Sequence, residues 1–164
     1  MPQINVTQAG GQNVCAFLDM IANSEGTSHD PATLDDGYDV LVTGINGPAR
    51  FDSYVSHPDV LVQVNHSGLE STAAGRYQLL YRYWVAYQSS LKLPDFSPVS
   101  QDLIAIQQIR ERGALPYIAS GNFAHAVQLC SNIWASLPGN GYGQHQNTVA
   151  LLQADYVAAG GTVA

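Results

Sequence analysis

The chain reads as an α+β domain in which helices dominate. Three observations predict this class. Val14, Phe17, Leu18 and Ile21 recur at helical spacing near the start; a tract punctuated by glycine and proline follows over 27–58; further helical stripes fill the remainder. With 164 residues, 46% of them hydrophobic and 12% charged, the chain can fill one core but not two comfortable ones. A single domain spanning 1–164 is therefore expected.

The first helix is predicted from about Gln12 and should stop near Gly26, a residue suited to the left-handed turn past a helix end. From 27 to 58, Gly37, Gly44, Gly47, Pro31 and Pro48 interrupt short β-prone stretches such as Tyr38-Asp39-Val40-Leu41-Val42. This pattern predicts a small antiparallel sheet of two or three strands, flanking a cleft beside the helical body. Residues 60–69 form a connector. Helical pattern resumes at Arg76 and runs through Tyr81, Trp84 and Tyr87 until Leu93-Pro94-Asp95-Phe96 breaks it. Ser97 then sits as an N-cap with Pro98 at the first helical position. Leu103, Ile106 and Ile109 supply that helix's stripe, and Gly113 closes it. Asn122 heads a further helix through Cys130. Leu137-Pro138-Gly139 is a break, Gly139-Asn140-Gly141-Tyr142-Gly143 a loop, and a last helix runs from about Gln146 to Gly160-Gly161.

Composition excludes several functions. Six basic against 13 acidic residues give a formal charge of −7, which disfavours nucleic acid and anionic membrane surfaces. No apolar run approaches the roughly 20 residues that span a bilayer, and the polar stretch 1–11 does not read as a secretory signal. His29, His57, His66, His125 and His145 lack metal-ligand spacing, so neither a metal nor an organic cofactor is expected. Cys15 and Cys130 belong to no Cys/His cluster. Two reduced core thiols are expected, with a bridge between them the alternative.

Glu25 is the leading candidate for chemistry. It ends an amphipathic helix, where apolar neighbours would keep a carboxyl group protonated near neutral pH. Asp39, in the expected sheet, has two open uses: electrostatic support of a positive transition state, or an ordinary turn aspartate. Tyr77 and Gln78 are expected to begin a helix facing the cleft. Gln78 could hold an acetamido or hydroxyl group and Tyr77 could offer its ring to a sugar; helix-start packing is the alternative for both. Tyr38 adjoins Asp39. Tyr142, between glycines, suits a loop closing over an extended ligand. Arg76 is expected in a structural ion pair, and Trp134 in the core.

Eight segments occur in an order that carries a resemblance. They are Ala16-Phe17-Leu18-Asp19-Met20, Ser24-Glu25-Gly26-Thr27, Gly37-Tyr38-Asp39-Val40, His57-Pro58, Ala74-Gly75-Arg76-Tyr77-Gln78-Leu79-Leu80, Asp95-Phe96-Ser97-Pro98, Glu111-Arg112-Gly113-Ala114-Leu115-Pro116, and the run Cys130-Ser131-Asn132-Ile133-Trp134-Ala135-Ser136-Leu137-Pro138-Gly139. Together, from about Ala16 to Val163, the chain resembles the phage endolysin family of murein lytic transglycosylases. The resemblance implies a lysozyme-like fold and cleavage of the β-1,4 bond between N-acetylmuramic acid and N-acetylglucosamine, leaving a 1,6-anhydromuramic end. Glu25 matches the family's catalytic glutamate. Gln78, Tyr77, Tyr142, Asp39 and Tyr38 are the expected substrate contacts.

The resemblance further implies a monomer acting on peptidoglycan glycan strands, made in the bacterial host cytoplasm and released to the wall by a separate holin-type protein. Three rivals are kept: a hydrolytic muramidase of the same fold using Glu25 and Asp39, a wall-binding module without catalysis, and a virion-associated lysin that differs in location and not in chemistry. The acidic balance is unusual for a protein that meets an anionic wall. It calls for a locally neutral cleft, a less anionic wall, or ionic strength at which screening reaches ~8 Å.

Overall fold

The computed structural model describes residues 1–141 and 146–164. The chain groups into two compact units, one of Met1–Glu25 with Ala105–Ala164, the other of Gly26–Ile104. Seven α-helices and one two-stranded antiparallel sheet make up the regular structure among the described residues, the α+β class expected.

The first unit is helical. Asn5 caps the short α1 (Val6–Ala9), accepting from the Gln8 N–H at 2.8 Å. The longer α2 (Gln12–Ser24) starts and stops close to where the apolar periodicity places it. Ala16, Phe17, Leu18, Met20, Ile21 and Ala22 are wholly buried, and α2 packs on α1, α5 (Leu115–Ala119) and α7 (Val149–Ala158). Phe17 meets the rings of Phe123 and Tyr156 edge-on, at 6.1 and 6.4 Å between centroids. Truncating a buried phenylalanine typically costs about 3–5 kcal/mol, so Phe17 is a principal anchor of this core. Phe123 opens α6 (Phe123–Cys130). Trp134 is buried, and so are Cys15 and Cys130, which form no disulfide; burial pushes the Cys130 thiol up to about 12. Thr148 caps α7, accepting from the Leu151 N–H at 3.2 Å. The last residues of α4 (Pro98–Glu111), Ala105 onward, also belong to this unit.

In the second unit the expected strands lie elsewhere. Tyr38–Val42 makes only single bridges, Val40 to Arg50 and Leu41 to Ala74. Turns centred on Gly44-Ile45-Asn46-Gly47-Pro48 leave no room for a longer ladder, and the Gly47 N–H closes back on the Gly44 carbonyl at 3.0 Å. The paired strands are β1 (Val62–Gln63), inside the stretch read as a connector, and β2 (Glu70–Ser71), just past its end. Asn65 turns that hairpin, its Oδ1 accepting from the N–H groups of Ser67 and Leu69. Helix α3 (Tyr81–Leu91) begins five residues later than expected at Arg76. Leu79 instead pairs with Ala74 in both directions at 3.0 Å, so Gly75–Gln78 is the loop of a tight hairpin. The core gathers Leu41, Phe51, Ala74, Leu79, Trp84, Leu93, Phe96 and Ile104. Trp84 stands edge-on to Phe96, at 5.1 Å between centroids.

Candidate functional site

Glu25 is the residue at which α2 ends. Its backbone still donates to the Ile21 carbonyl at 2.9 Å, while Gly26 turns into the left-handed region at φ 75°, which glycine enters without steric cost. The side chain is partly buried, and burial raises its pKa above the ordinary 4.5. The Ser136 hydroxyl and N–H act the other way, favouring the anion. Ser136 Oγ donates to Glu25 Oε1 at 2.5 Å, a length typical of a charge-assisted bond. Ser24 Oγ donates to Ser136 Oγ at 2.8 Å, and Asn147 Nδ2 donates to Ser24 Oγ at 3.0 Å. A carboxyl group with raised proton affinity and an ordered donor chain is equipped for general acid–base work.

Within the second unit, the hairpin around Gly75–Gln78 is held from several sides. Thr27 Oγ1 donates to the Arg76 carbonyl at 2.6 Å, and the Arg76 N–H donates to Gln101 Oε1 at 2.9 Å. Gln101 Nε2 donates to the carbonyls of Tyr38 and Phe96, both at 3.0 Å. His57 Nε2 lies 2.8 Å from the Leu79 carbonyl, and its Nδ1 accepts from the Asp59 N–H at 3.1 Å. The acceptor role of Nδ1 fixes the neutral tautomer with the proton on Nε2. Burial lowers the pKa of His57, against opposing effects of the Leu79 carbonyl and Asp59. So His57 positions the hairpin as well as following a turn beside Pro58.

Gln78 occupies this hairpin at φ 50°, a conformation uncommon for a side-chain-bearing residue. Its Nε2 donates to the Gly75 carbonyl at 3.1 Å, which fixes the amide so that Oε1 faces away from that bond as an acceptor. Strain at a polar residue held by a rigid surround marks a place where function is worth seeking.

The remaining candidates are turned inward. Tyr77 and Tyr38 both donate to Oδ1 of the fully buried Asp102, at 2.6 and 2.7 Å. Their rings meet edge-on, 6.4 Å apart, and burial with the nearby Asp102 charge holds the Tyr77 phenol well above its ordinary range. Arg76 is buried and pairs with Asp36 Oδ2 at 2.9 Å, its guanidinium 5.2 Å from the Tyr38 ring centroid. Asp39 is 5% exposed and both oxygens are engaged nearby: Oδ1 accepts from Thr33 Oγ1 at 2.5 Å and Oδ2 from the Leu34 N–H at 3.0 Å. Gln78 is therefore half-buried, while Tyr38 and Tyr77 are committed to Asp102 and Asp39 to the Thr33–Leu34 segment. Tyr142 lies outside the described residues.

The sequence did not single out Ser24, Asn147, Asp102, Thr33 or Gln101. Ser24 and Ser136 both fell within ordered segments, but no spacing rule marks a serine as the partner of an acid 111 positions away. Among the described residues no cluster of histidine, cysteine and acidic side chains could hold a metal ion, and no helix is long and apolar enough to cross a membrane.

Comparison with known proteins accords with this geometry. The family model described as Endolysin matches residues 15–163. The endolysin of Escherichia phage P2 is 50% identical over 169 aligned positions, covering all of both chains; that of Escherichia phage lambda is 54% identical, covering 90% of this chain and 91% of its own. The solved structure of bacteriophage lambda lysozyme complexed with a chitohexasaccharide superposes with a TM-score of 0.87 at 51% identity, covering 100% of both chains. A second structure of lysozyme from bacteriophage lambda gives 0.83 at 50%, again over all of both chains. A lysozyme fold, a family model matched across nearly the whole length and relatives at 50% and 54% identity converge: the chain belongs to the endolysin family.

Proposed function

We propose that this endolysin is a lytic transglycosylase, cutting the β-1,4 bond between N-acetylmuramic acid and N-acetylglucosamine with Glu25 as acid and then base. The coarser activity, cleavage of peptidoglycan, follows from its family. Glu25 gives its proton to the leaving O4 of N-acetylglucosamine as the C1–O4 bond breaks. The muramic 6-hydroxyl then bonds to C1 and returns its proton to Glu25, closing the 1,6-anhydro ring without consuming water. The acetamido oxygen of the substrate can shelter the positive C1 in between.

The observation that carries this over hydrolysis is the state of Asp39. Hydrolases of either stereochemistry usually employ a second carboxylate to attack or to activate water. Asp39 is buried, with both oxygens bonded by Thr33 and Leu34. Asp35 accepts from Tyr54 at 2.7 Å, and Asp36 pairs with Arg76. A mechanism needing one carboxyl group fits a Glu25 of raised proton affinity together with aspartates that are each already engaged within their own unit.

In the same reading, glycan strands of peptidoglycan are the substrate, in line with the chitohexasaccharide bound by the lambda relative. Gln78 Oε1 accepts from a sugar N–H or hydroxyl. Tyr77, Tyr38 and Asp39 act behind it. The protein acts as a monomer, is made inside the bacterial host and reaches the wall through a separate holin-type protein.

The test is mass spectrometry of purified sacculi after digestion. The expected products end in anhydromuramic acid, one water lighter than reducing-end products, and Glu25→Gln yields none. Reducing-end products from the wild type would establish the hydrolytic rival. Binding to sacculi with no release by wild type would establish a wall-binding module.

A further inference from the structure

The donor chain behind Glu25 has a fixed direction, and that direction decides which oxygen holds the proton. Asn147 Nδ2 donates to the Ser24 carbonyl at 3.3 Å as well as to Ser24 Oγ at 3.0 Å. A carbonyl can only accept, so the nitrogen end of this amide faces Ser24, and an amide nitrogen accepts nothing. Ser24 Oγ is thus already an acceptor and spends its single hydrogen forward on Ser136 Oγ, 2.8 Å away. Ser136 in turn spends its hydrogen on Glu25 Oε1 at 2.5 Å. The Asn147 N–H donates to the Ser136 carbonyl at 2.8 Å, fastening the two loop segments to each other. A protonated Oε1 is a weaker acceptor for the Ser136 hydrogen, whereas a proton on Oε2 leaves Oε1 the stronger acceptor and the chain intact.

We propose that Ser136, braced by Ser24 and Asn147, is a positioning residue that keeps Glu25 Oε1 an acceptor and so assigns the transferable proton to Oε2. This rests on Glu25 being the general acid, and it adds which atom delivers the proton and what enforces the choice. It also makes Ser136 a setter of proton affinity. Its hydrogen bond favours the carboxylate, against the burial that favours the acid. Ser136 and burial are the influences on Glu25 among the described residues; no charged side chain contributes to its shift. A hydroxyl that merely tied the loop to the helix end would be replaceable without altering when Glu25 ionises.

The chain has three glutamates, Glu25, Glu70 and Glu111, so protein labelled with ¹³C at the glutamate carboxyl gives three resonances. The Glu25 signal is the one missing in Glu25→Gln. Titrating it in wild type, Ser136→Ala, Ser136→Thr and Ser24→Ala reads the proposal without any need for turnover. Ser136→Ala is expected to move the Glu25 midpoint to higher pH and to carry the alkaline limb of kcat with it. It should lower kcat about tenfold to a hundredfold, as loss of alignment at a reacting group does. Ser136→Thr keeps the hydroxyl and is expected to restore both midpoint and rate. Ser24→Ala, which leaves Ser136 in place, is expected to shift the midpoint the same way by less. It also decides the matter should Ser136→Ala fail to fold.

A Glu25 midpoint unchanged in folded Ser136→Ala or, where that variant does not fold, in Ser24→Ala overturns the proposal. So does a Ser136→Thr protein that folds yet behaves as alanine. Full activity of Glu25→Gln would defeat the acid role itself, and the resonance titration would still report separately on the Ser136 relay.

Discussion

Removing the Tyr77 hydroxyl is a clean probe of how the second unit is held together. Tyr77→Phe keeps the ring, its packing and its contact with Tyr38, and deletes one bond of 2.6 Å to a carboxylate with no exposed surface. Hydrogen bonds to charged groups contribute about 1.5–3 kcal/mol each. For a chain of this size that is a fall of about 3–12 °C in the thermal midpoint. Tyr38→Phe removes the companion bond of 2.7 Å to the same oxygen and should cost a similar amount. The double variant leaves Asp102 with neither phenol, so its loss should exceed the sum of the two, because each phenol partly covers for the other in stabilising the buried charge. Urea unfolding of the four proteins, with a double-mutant cycle, measures this directly. Losses below about 0.5 kcal/mol for each single variant, or strict additivity, would show that Asp102 draws its stabilisation from elsewhere; both outcomes contradict a shared hub.

Three further outcomes are expected. Glu25 has a raised pKa in the native state, so the native protein binds more protons than the unfolded chain above the ordinary value of 4.5; stability then declines as pH climbs through the native value. Glu25→Gln should therefore unfold at higher urea than wild type at neutral pH and approach it at pH 3–4, about the range where both states are protonated. His57 has the opposite sign: its native pKa is lowered, so below about 6.5 the unfolded chain binds the extra proton and the fold loses stability as pH falls. His57→Gln should flatten that part of a thermal-midpoint profile between pH 7 and 5, windows set by the imidazole. Gly75→Ala forces a side chain into φ 78° and presses its Cβ onto the Gln101 amide. The left-handed strain of about 1–2 kcal/mol and the weakened Gln101 bond of about 1 kcal/mol should together be visible by urea titration, with a matching drop in sacculus cleavage.

The helical half of the molecule was legible because its burial is periodic. Val14, Phe17, Leu18 and Ile21 are all buried, and the stop at Gly26 needed only the knowledge that glycine tolerates a left-handed turn. The non-helical half was not, because its order comes from side chains meeting backbone over long separations. Arg76, Tyr77 and Gln78 have the composition of a helix start, yet Thr27, His57 and Gln101 hold that backbone as a hairpin. Tyr38–Val42 has strand propensity but spends its N–H and C=O groups on two different neighbouring segments, so it never builds a ladder. At the site, Glu25 could be named from its place at a helix end among matching segments. The fate of Asp39, a loop brace with both oxygens bonded, depended on Thr33 and Leu34, whose roles no local pattern announces. Ser136 was invisible for the same reason: its partner lies 111 residues away.

The clamp around Gln78 has a consequence for anyone wishing to move this motif. The short stretch 74–79 carries the residue of interest, but its shape is dictated by an amide at 101, an imidazole at 57 and a hydroxyl at 27. A synthetic peptide of those six residues, or a graft onto an unrelated scaffold, would relax out of φ 50° at Gln78 and lose the outward-facing acceptor. Portability would require transplanting the supporting groups with it.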